Sequence, residues 1–210
     1  MDMWRRILLL SLLWLAPALG LAAPAPHVIL VMGDSLSAAY NIDPAQGWVT
    51  LLQQRLQDSG YDYTVVNASI SGETTSGGLT RLPAALKEHA PAIVIIELGA
   101  NDGLRGLPIQ VMRDGLTRMI ADSEAAGAKV LLVGMRLPPN YGGPYTQAFA
   151  HAYQDLARQH RLRLVPFLLA GVAEHRELMQ GDGLHPLAQA EPEVLDNVWP
   201  YLKPLLHKKP

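Results

Sequence analysis

The chain has 210 residues, a formal net charge of −2 and no cysteine. The length suits one ordinary domain, and the near-neutral charge argues against a nucleic-acid partner. The absence of cysteine excludes disulfides and thiolate chemistry.

The first 22 residues have the composition of a secretory signal peptide. Two arginines precede an apolar run over residues 7–15, and small residues follow up to Ala22. This order predicts cleavage after Ala22, a mature domain at 23–210, a periplasmic or secreted location, and no stable membrane anchor after cleavage. An uncleaved anchor is the alternative, but the apolar run is shorter than the roughly 20 residues needed to span a bilayer.

Short apolar runs alternate with helical patterns along the remaining chain. They predict strands at 28–32, 63–68, 92–98, 129–134 and 163–167, and helices at 46–59, 79–89, 109–126, 145–160 and 192–206. Such alternation predicts an α/β domain whose parallel sheet is covered by helices on both faces. Pro83 lies within the second helical pattern, where proline is expected only near a helix start or at a kink.

Unusual polar or turn-forming segments follow each predicted strand. In chain order these segments are Asp34-Ser35, residues 67–74 with Gly72, residues 99–103 with Asn101, the loop 136–143, and residues 181–186 with Asp182 and His185. Because the carboxyl ends of parallel strands lie at one edge of a sheet, we expect these segments to converge on one cleft.

The converging residues provide what acyl transfer by a serine requires. Ser35 can act as nucleophile, His185 can accept its proton, and Asp182 can orient the imidazole. The Gly72 amide, the Asn101 side chain and the Ser35 amide can donate hydrogen bonds to a developing oxyanion. Each residue alone has a simpler interpretation as a turn or cap residue, so the prediction depends on the whole ordered set.

Four blocks of the chain resemble those of the SGNH (GDSL) hydrolase family. They are Gly33-Asp-Ser-Leu-Ser37, Gly72, Gly99-Ala-Asn-Asp102 and Asp182-Gly-Leu-His-Pro186. The resemblance implies a flavodoxin-like three-layer α/β/α sandwich with a five-stranded parallel sheet. It also implies a Ser35–His185–Asp182 triad and an oxyanion hole formed by Ser35, Gly72 and Asn101. The segments 98–106 and 136–142 further resemble a periplasmic bacterial group of thioesterases, lysophospholipases and arylesterases.

Other hydrolase and nucleotide-binding patterns are absent from the sequence. No Gly-x-Ser-x-Gly motif surrounds Ser35, which disfavours the α/β-hydrolase design. Neither a His-Glu-x-x-His motif nor a phosphate-binding loop occurs, so we expect no metal and no cofactor.

The expected substrate is a small acyl ester or thioester, hydrolysed by a monomer. An apolar acyl groove is predicted from Leu36, Leu104, Leu107, Ile109, Leu137, Pro138 and Tyr141. The glycines of the loop 136–144 would allow it to move over a substrate. An O-acetylesterase acting on carbohydrate or peptidoglycan remains an alternative, as does a binding module without catalysis. The intact set of five candidate residues argues strongly against the binding module.

Overall fold

The computed structural model describes residues 27–208, so the predicted signal peptide lies outside the described residues. Five strands form one parallel sheet with the order β2-β1-β3-β4-β5. They are β1 (His27–Gly33), β2 (Tyr63–Asn67), β3 (Ile93–Glu97), β4 (Lys129–Val133) and β5 (Arg163–Val165). The predicted five-stranded parallel sheet and its α/β class are confirmed.

Six α-helices cover the sheet within residues 27–208. They are α1 (Trp48–Asp58), α2 (Thr75–His89), α3 (Ala100–Leu104), α4 (Ile109–Ala125), α5 (Gly143–His160) and α6 (Glu191–Leu202). Helix α1 packs against α6, while α4 packs against both α2 and α5. The central strand β3 is buried along its whole length, as expected for a strand covered on both faces.

Helix α2 begins four residues earlier than the predicted start at residue 79. Thr74 caps it by accepting a hydrogen bond from the Gly77 amide at 3.4 Å. Glycines 77 and 78 hide this start in the sequence because glycine disfavours helix interiors. A side chain at Gly78 would bring a Cβ within 2.3 Å of Leu98, so close packing explains the residue. Pro83 lies inside α2 on its exposed side, where water can serve the carbonyl that proline leaves unpaired.

The strand order places a cleft between β1 and β3. These two strands are neighbours, but the chain leaves β1 toward β2 on one side and leaves β3 toward β4 on the other. Ligands of open α/β sheets bind beyond the carboxyl ends of strands at such a point. Ser35 follows β1 and Asn101 follows β3, so both reach this cleft.

Two features are absent from the described part of the chain. None of the helices in residues 27–208 is both long and apolar enough to cross a membrane. Over the same residues, no cluster of three or more histidine, aspartate or glutamate side chains is arranged to hold a metal ion.

Candidate active site

Three side chains from distant parts of the sequence form a hydrogen-bonded chain at the cleft. The Oγ atom of Ser35 lies 2.8 Å from Nε2 of His185. The Nδ1 atom of the same imidazole lies 2.7 Å from Oδ2 of Asp182. The imidazole is only 17% exposed, whereas the carboxylate is 38% exposed. The structure therefore brings together the three residues that the sequence predicted as nucleophile, base and orienting carboxylate.

Asp182 and His185 lie on an irregular segment, here called the histidine loop (residues 179–187). The two ends of the loop are joined by an antiparallel bridge between Met179 and Pro186. Oδ1 of Asp182 accepts hydrogen bonds from the amides of Leu184 at 2.9 Å and His185 at 3.1 Å. Partial burial opposes ionisation of Asp182, but these amides and the imidazole outweigh it and hold its pKa below the ordinary value.

The three hydrogen-bond donors that the sequence predicted for an oxyanion each have at least one proton without an acceptor in the described residues. Among the described residues, the amides of Ser35 and Gly72 have no hydrogen-bond acceptor. Nδ2 of Asn101 donates one hydrogen bond to Asp34 at 3.0 Å and retains a second proton. Gly72 has a φ of +78°, which glycine adopts without strain. Its carbonyl accepts a hydrogen bond from Arg105 at 2.8 Å, which ties this loop to the end of α3.

Two buried carboxyl groups beneath Ser35 were not predicted as part of the site. Oε2 of Glu97 accepts hydrogen bonds from the Asp34 amide at 3.2 Å and from the Ser37 hydroxyl at 2.7 Å. Burial and the nearby Asp34 charge raise the pKa of Glu97 well above its usual range. Burial also raises the pKa of Asp34 to about 6, although hydrogen bonds and His185 oppose this. Gly33 makes the arrangement possible, because a Cβ there would lie 2.8 Å from Glu97 Oε2.

A cavity of about 480 Å³ opens beside Ser35, Asn101 and His185. Four of the predicted groove residues line it, namely Leu36, Leu104, Leu137 and Pro138. Most of the other lining residues were not among the predicted groove residues. The apolar ones are Ala100, Met135, Pro139, Phe167, Leu169, Ala173, Met179 and Leu184. Arg136 and Glu174 are charged residues of the wall, and the Arg136 guanidinium lies 4.9 Å from the centre of the Phe167 ring. With Asp34 beside Ser35, the cavity wall is therefore mainly apolar with three residues of charged type.

The other three predicted groove residues, Leu107, Ile109 and Tyr141, are not among the lining residues of this cavity. The Tyr141 hydroxyl instead donates a hydrogen bond to the Leu104 carbonyl at 3.0 Å. The Leu107 carbonyl accepts one from the Tyr145 hydroxyl at 2.8 Å. Ile109 begins α4 and packs against the hydrophobic core. These three residues thus support the loops around the cavity in this structure.

Little in the sequence distinguishes the cavity-lining residues that were not predicted. Met135, Phe167 and Leu169 follow strands and have the same apolar character as core residues. Their position just past the ends of β4 and β5 is the one clue that could have identified them, because strand ends face the cleft. Glu97 offered a clearer clue, since a carboxylate at the end of a fully apolar strand rarely lacks a local role.

A serine–imidazole–carboxylate chain beside free backbone donors, on the edge of a flavodoxin-like parallel sheet, defines a serine hydrolase. The model of the GDSL-like lipase/acylhydrolase family matches residues 31–190. The chain belongs to this family and is an enzyme.

Similar proteins share both the sequence and the fold. Esterase TesA of Pseudomonas aeruginosa is 56% identical over 182 residues, which is 87% of this chain and 90% of that protein. The thioesterase 1/protease 1/lysophospholipase L1 of Escherichia coli is 43% identical over 185 residues, or 88% of each protein. Psychrotrophic esterase EstA of Pseudoalteromonas, solved in a form inhibited by monoethylphosphonate, has a TM-score of 0.81 and 41% identity. The match covers 85% of this chain and 97% of that one.

Proposed function

We propose that this enzyme hydrolyses carboxylic esters and thioesters with an apolar acyl group, through an acyl-enzyme on Ser35. The apolar cavity that opens beside the Ser35–His185 hydrogen bond is the observation that carries the proposal. An acyl chain lying in this cavity would bring its carbonyl carbon to the serine hydroxyl, and burying its methylenes would stabilise the complex.

In the acylation step, Ser35 Oγ attacks the carbonyl carbon while its proton passes to Nε2 of His185. The hydrogen bond of 2.8 Å between these atoms supports this transfer. Asp182 lies 2.7 Å from Nδ1 and remains ionised, so it holds the required tautomer and stabilises the imidazolium that forms.

The negative charge that develops on the substrate oxygen is held by three donors. These are the amides of Ser35 and Gly72 and the second amide proton of Asn101. The two backbone amides lack acceptors in the described residues, so they require no bond to break before receiving the oxyanion. Donors fixed in this way stabilise the transition state more than the ground state.

Collapse of the tetrahedral intermediate breaks the bond to the leaving alcohol or thiol, which takes the proton from His185. Water then attacks the acyl-enzyme carbonyl and gives one proton to His185. Collapse of this second tetrahedral intermediate breaks the bond to Ser35 Oγ, which takes the proton back from His185, and the carboxylic acid is released.

The substrate range is proposed from the cavity and from the similar proteins. These relatives are named as an esterase, an arylesterase and a thioesterase/lysophospholipase. A cavity of about 480 Å³ with a mainly apolar wall suits an acyl chain better than a sugar ring, which needs more polar partners. Aryl esters, acyl thioesters and lysophospholipids are therefore the proposed substrates.

We further propose that the enzyme is exported and acts as a monomer in the periplasm or outside the cell. The order of basic, apolar and small residues in segment 1–22 supports export. Sequencing the N-terminus of the protein recovered from the periplasmic fraction should show a start at residue 23. Recovery of the protein only with its original N-terminus in the membrane fraction would contradict cleavage.

The main proposal is tested with a series of p-nitrophenyl esters and an acetylated sugar. We expect kcat/KM to rise from the acetate to a longer acyl ester, and we expect little hydrolysis of the acetylated sugar. A fluorophosphonate probe should label the wild-type protein but not Ser35→Ala. Preference for the acetylated sugar would favour an O-acetylesterase, and equal labelling of Ser35→Ala would refute the serine mechanism.

A further inference from the structure

Ser35 and His185 lie on two separate irregular segments, and catalysis requires a fixed distance between their side chains. Ser35 belongs to the serine loop (residues 34–43), and His185 belongs to the histidine loop. Apart from the Ser35–His185 contact, two hydrogen bonds join these loops, and both involve the side chain of Gln180. This side chain is therefore in a position to determine how the loops meet.

The side-chain amide of Gln180 uses both of its N–H donors and one of the two acceptor positions on its oxygen. Its Nε2 atom donates to the carbonyls of Tyr40 and Pro186, each at 2.9 Å. Its Oε1 atom accepts from Nδ2 of Asn41 at 3.2 Å. One side chain thus contacts two successive residues of the serine loop and the residue that directly follows His185. We name this set of three bonds the Gln180 bridge.

The backbone of Gln180 is also fixed within the histidine loop. Its amide donates to the His185 carbonyl at 2.7 Å, and its carbonyl accepts from the Gly183 amide at 2.9 Å. A shift of the Gln180 side chain would therefore be transmitted to His185 through short, directional contacts.

The serine loop needs such a support because of its conformation. Ala39 and Asn41 have φ values of +55° and +58°, a left-handed conformation that is unfavourable for alanine and that asparagine adopts more readily. Between them, the Tyr40 ring packs against the His185 imidazole, with 4.5 Å between ring centres. The bond from Gln180 to the Tyr40 carbonyl thus acts on the residue whose ring packs against the imidazole.

We propose that Gln180 is a positioning residue, which holds the imidazole of His185 at the distance from Ser35 that proton transfer requires. The inference rests on the proposed serine mechanism. Gln180 does not line the acyl cavity, so it should affect the chemical step and leave substrate binding nearly unchanged. A displacement of about 1 Å between reacting groups can lower a rate by about 100-fold.

The test compares Gln180→Met with Gln189→Met. Methionine keeps the length of the side chain and removes the amide. Gln189 is the matched control, because its Nε2 donates a similar bond of 2.9 Å to a carbonyl, that of Glu177, but lies outside the bridge. We measure kcat and KM on a p-nitrophenyl ester, the rate of fluorophosphonate labelling, and the Tm.

Gln180→Met should lower kcat and the labelling rate by about 10- to 100-fold, with KM within twofold of wild type. Gln189→Met should retain wild-type values. A kcat within twofold of wild type in Gln180→Met would overturn the inference, as would a loss expressed mainly in KM. Failure of the wild-type protein to label would instead refute the serine mechanism itself.

A second variant keeps the test decisive if Gln180→Met does not fold. Asn41→Gly removes one bond of the bridge and tolerates the positive φ of this exposed position. We expect kcat to fall about two- to fivefold while KM and Tm stay close to wild type. An unchanged kcat in Asn41→Gly would then count against the Gln180 bridge.

Discussion

The two halves of the candidate site are built in different ways. Ser35 and Asn101 follow the buried central strands β1 and β3, which bond to each other along their length. Asp182 and His185 lie on the histidine loop, which has no strand or α-helix and is held by turns and side-chain bonds. The first half starts directly from buried strands, although the serine loop beyond Ser35 also needs the Gln180 bridge, whereas the second half has no strand next to it.

This difference indicates where the site is robust and where it is sensitive. Ser35 and Asn101 lie within four residues of strands whose residues 29–33 and 93–97 are buried. Groups on the histidine loop depend on a few hydrogen bonds near solvent, and such segments open at lower cost. Variants in the two halves should therefore differ in how activity and stability change together.

The largest effect should come from the histidine loop. His185→Ala removes the base, and we expect kcat to fall on the order of 10⁴- to 10⁶-fold. His151→Ala, at an exposed position of α5, is the control and should retain wild-type activity. Ester hydrolysis and Tm are measured together. Substantial activity in His185→Ala would mean that another group accepts the Ser35 proton.

A smaller effect is expected at the strand-end half. Asn101→Ala removes one oxyanion donor, which typically costs about 2.7–4 kcal/mol, or on the order of 10²- to 10³-fold in kcat. KM should change much less, because the donor acts mainly on the transition state. We measure kcat and KM of the variant on one p-nitrophenyl ester, and the Tm shows whether the variant is folded. An effect confined to KM would place Asn101 in substrate binding instead.

A more selective effect is expected at the cavity wall between the two halves. Ala173 lines the cavity and is exposed, so Ala173→Phe should fill the space without disturbing the core. We expect kcat/KM for an octanoyl ester to fall at least about tenfold, while the acetyl ester changes little. Ala121→Phe, on an exposed face of α4, is the control. Equal losses for both esters would show that the acyl chain lies elsewhere.

The smallest effect on activity is expected at Glu191, which belongs to neither half. This residue begins α6 and is 1% exposed, and its carboxylate accepts a hydrogen bond from the Trp48 amide at 2.8 Å. Burial raises its pKa to about 7, against the opposing effect of that bond. Because the folded pKa exceeds the unfolded one, the folded protein holds an extra proton between about pH 4.5 and pH 7. The contribution to stability is present below this window and is lost as pH rises through it.

Glu191→Gln should remove this pH dependence and leave kcat near the wild-type value. The difference between the two proteins in the free energy of unfolding should change by on the order of 1–3 kcal/mol between pH 4.5 and pH 8. Urea unfolding at both pH values measures it, and the wild-type protein supplies the reference for all other titrating groups. A constant difference across this range would mean that Glu191 titrates normally.

Sequence patterns predicted most of the sheet and the chain order of the candidate site. Apolar runs identified all five strands because buried parallel strands have few polar residues. The polar residues after each run then located Ser35 and Asn101 at one edge. The short helix α3 was missed because Ala100–Leu104 contains too few residues to show a helical period.

Other parts of the site depend on contacts that a linear pattern does not contain. The Gln180 bridge joins residues about 140 positions apart, and its carbonyl partners carry no information about side-chain type. Met135 and Phe167 line the cavity although their apolar character equally suits the core. Glu97 looks like an ordinary carboxylate until its complete burial is known.

The residues that line the cavity lie on the segments that follow β1, β3, β4 and β5. No single secondary-structure element therefore controls its shape, and each loop can change without altering the sheet pairing beneath it. Such an architecture allows substrate range to diverge by isolated substitutions while the reaction is retained. It gives this fold a high evolvability, because the selection of substrates and the assembly of the catalytic groups are encoded at different positions.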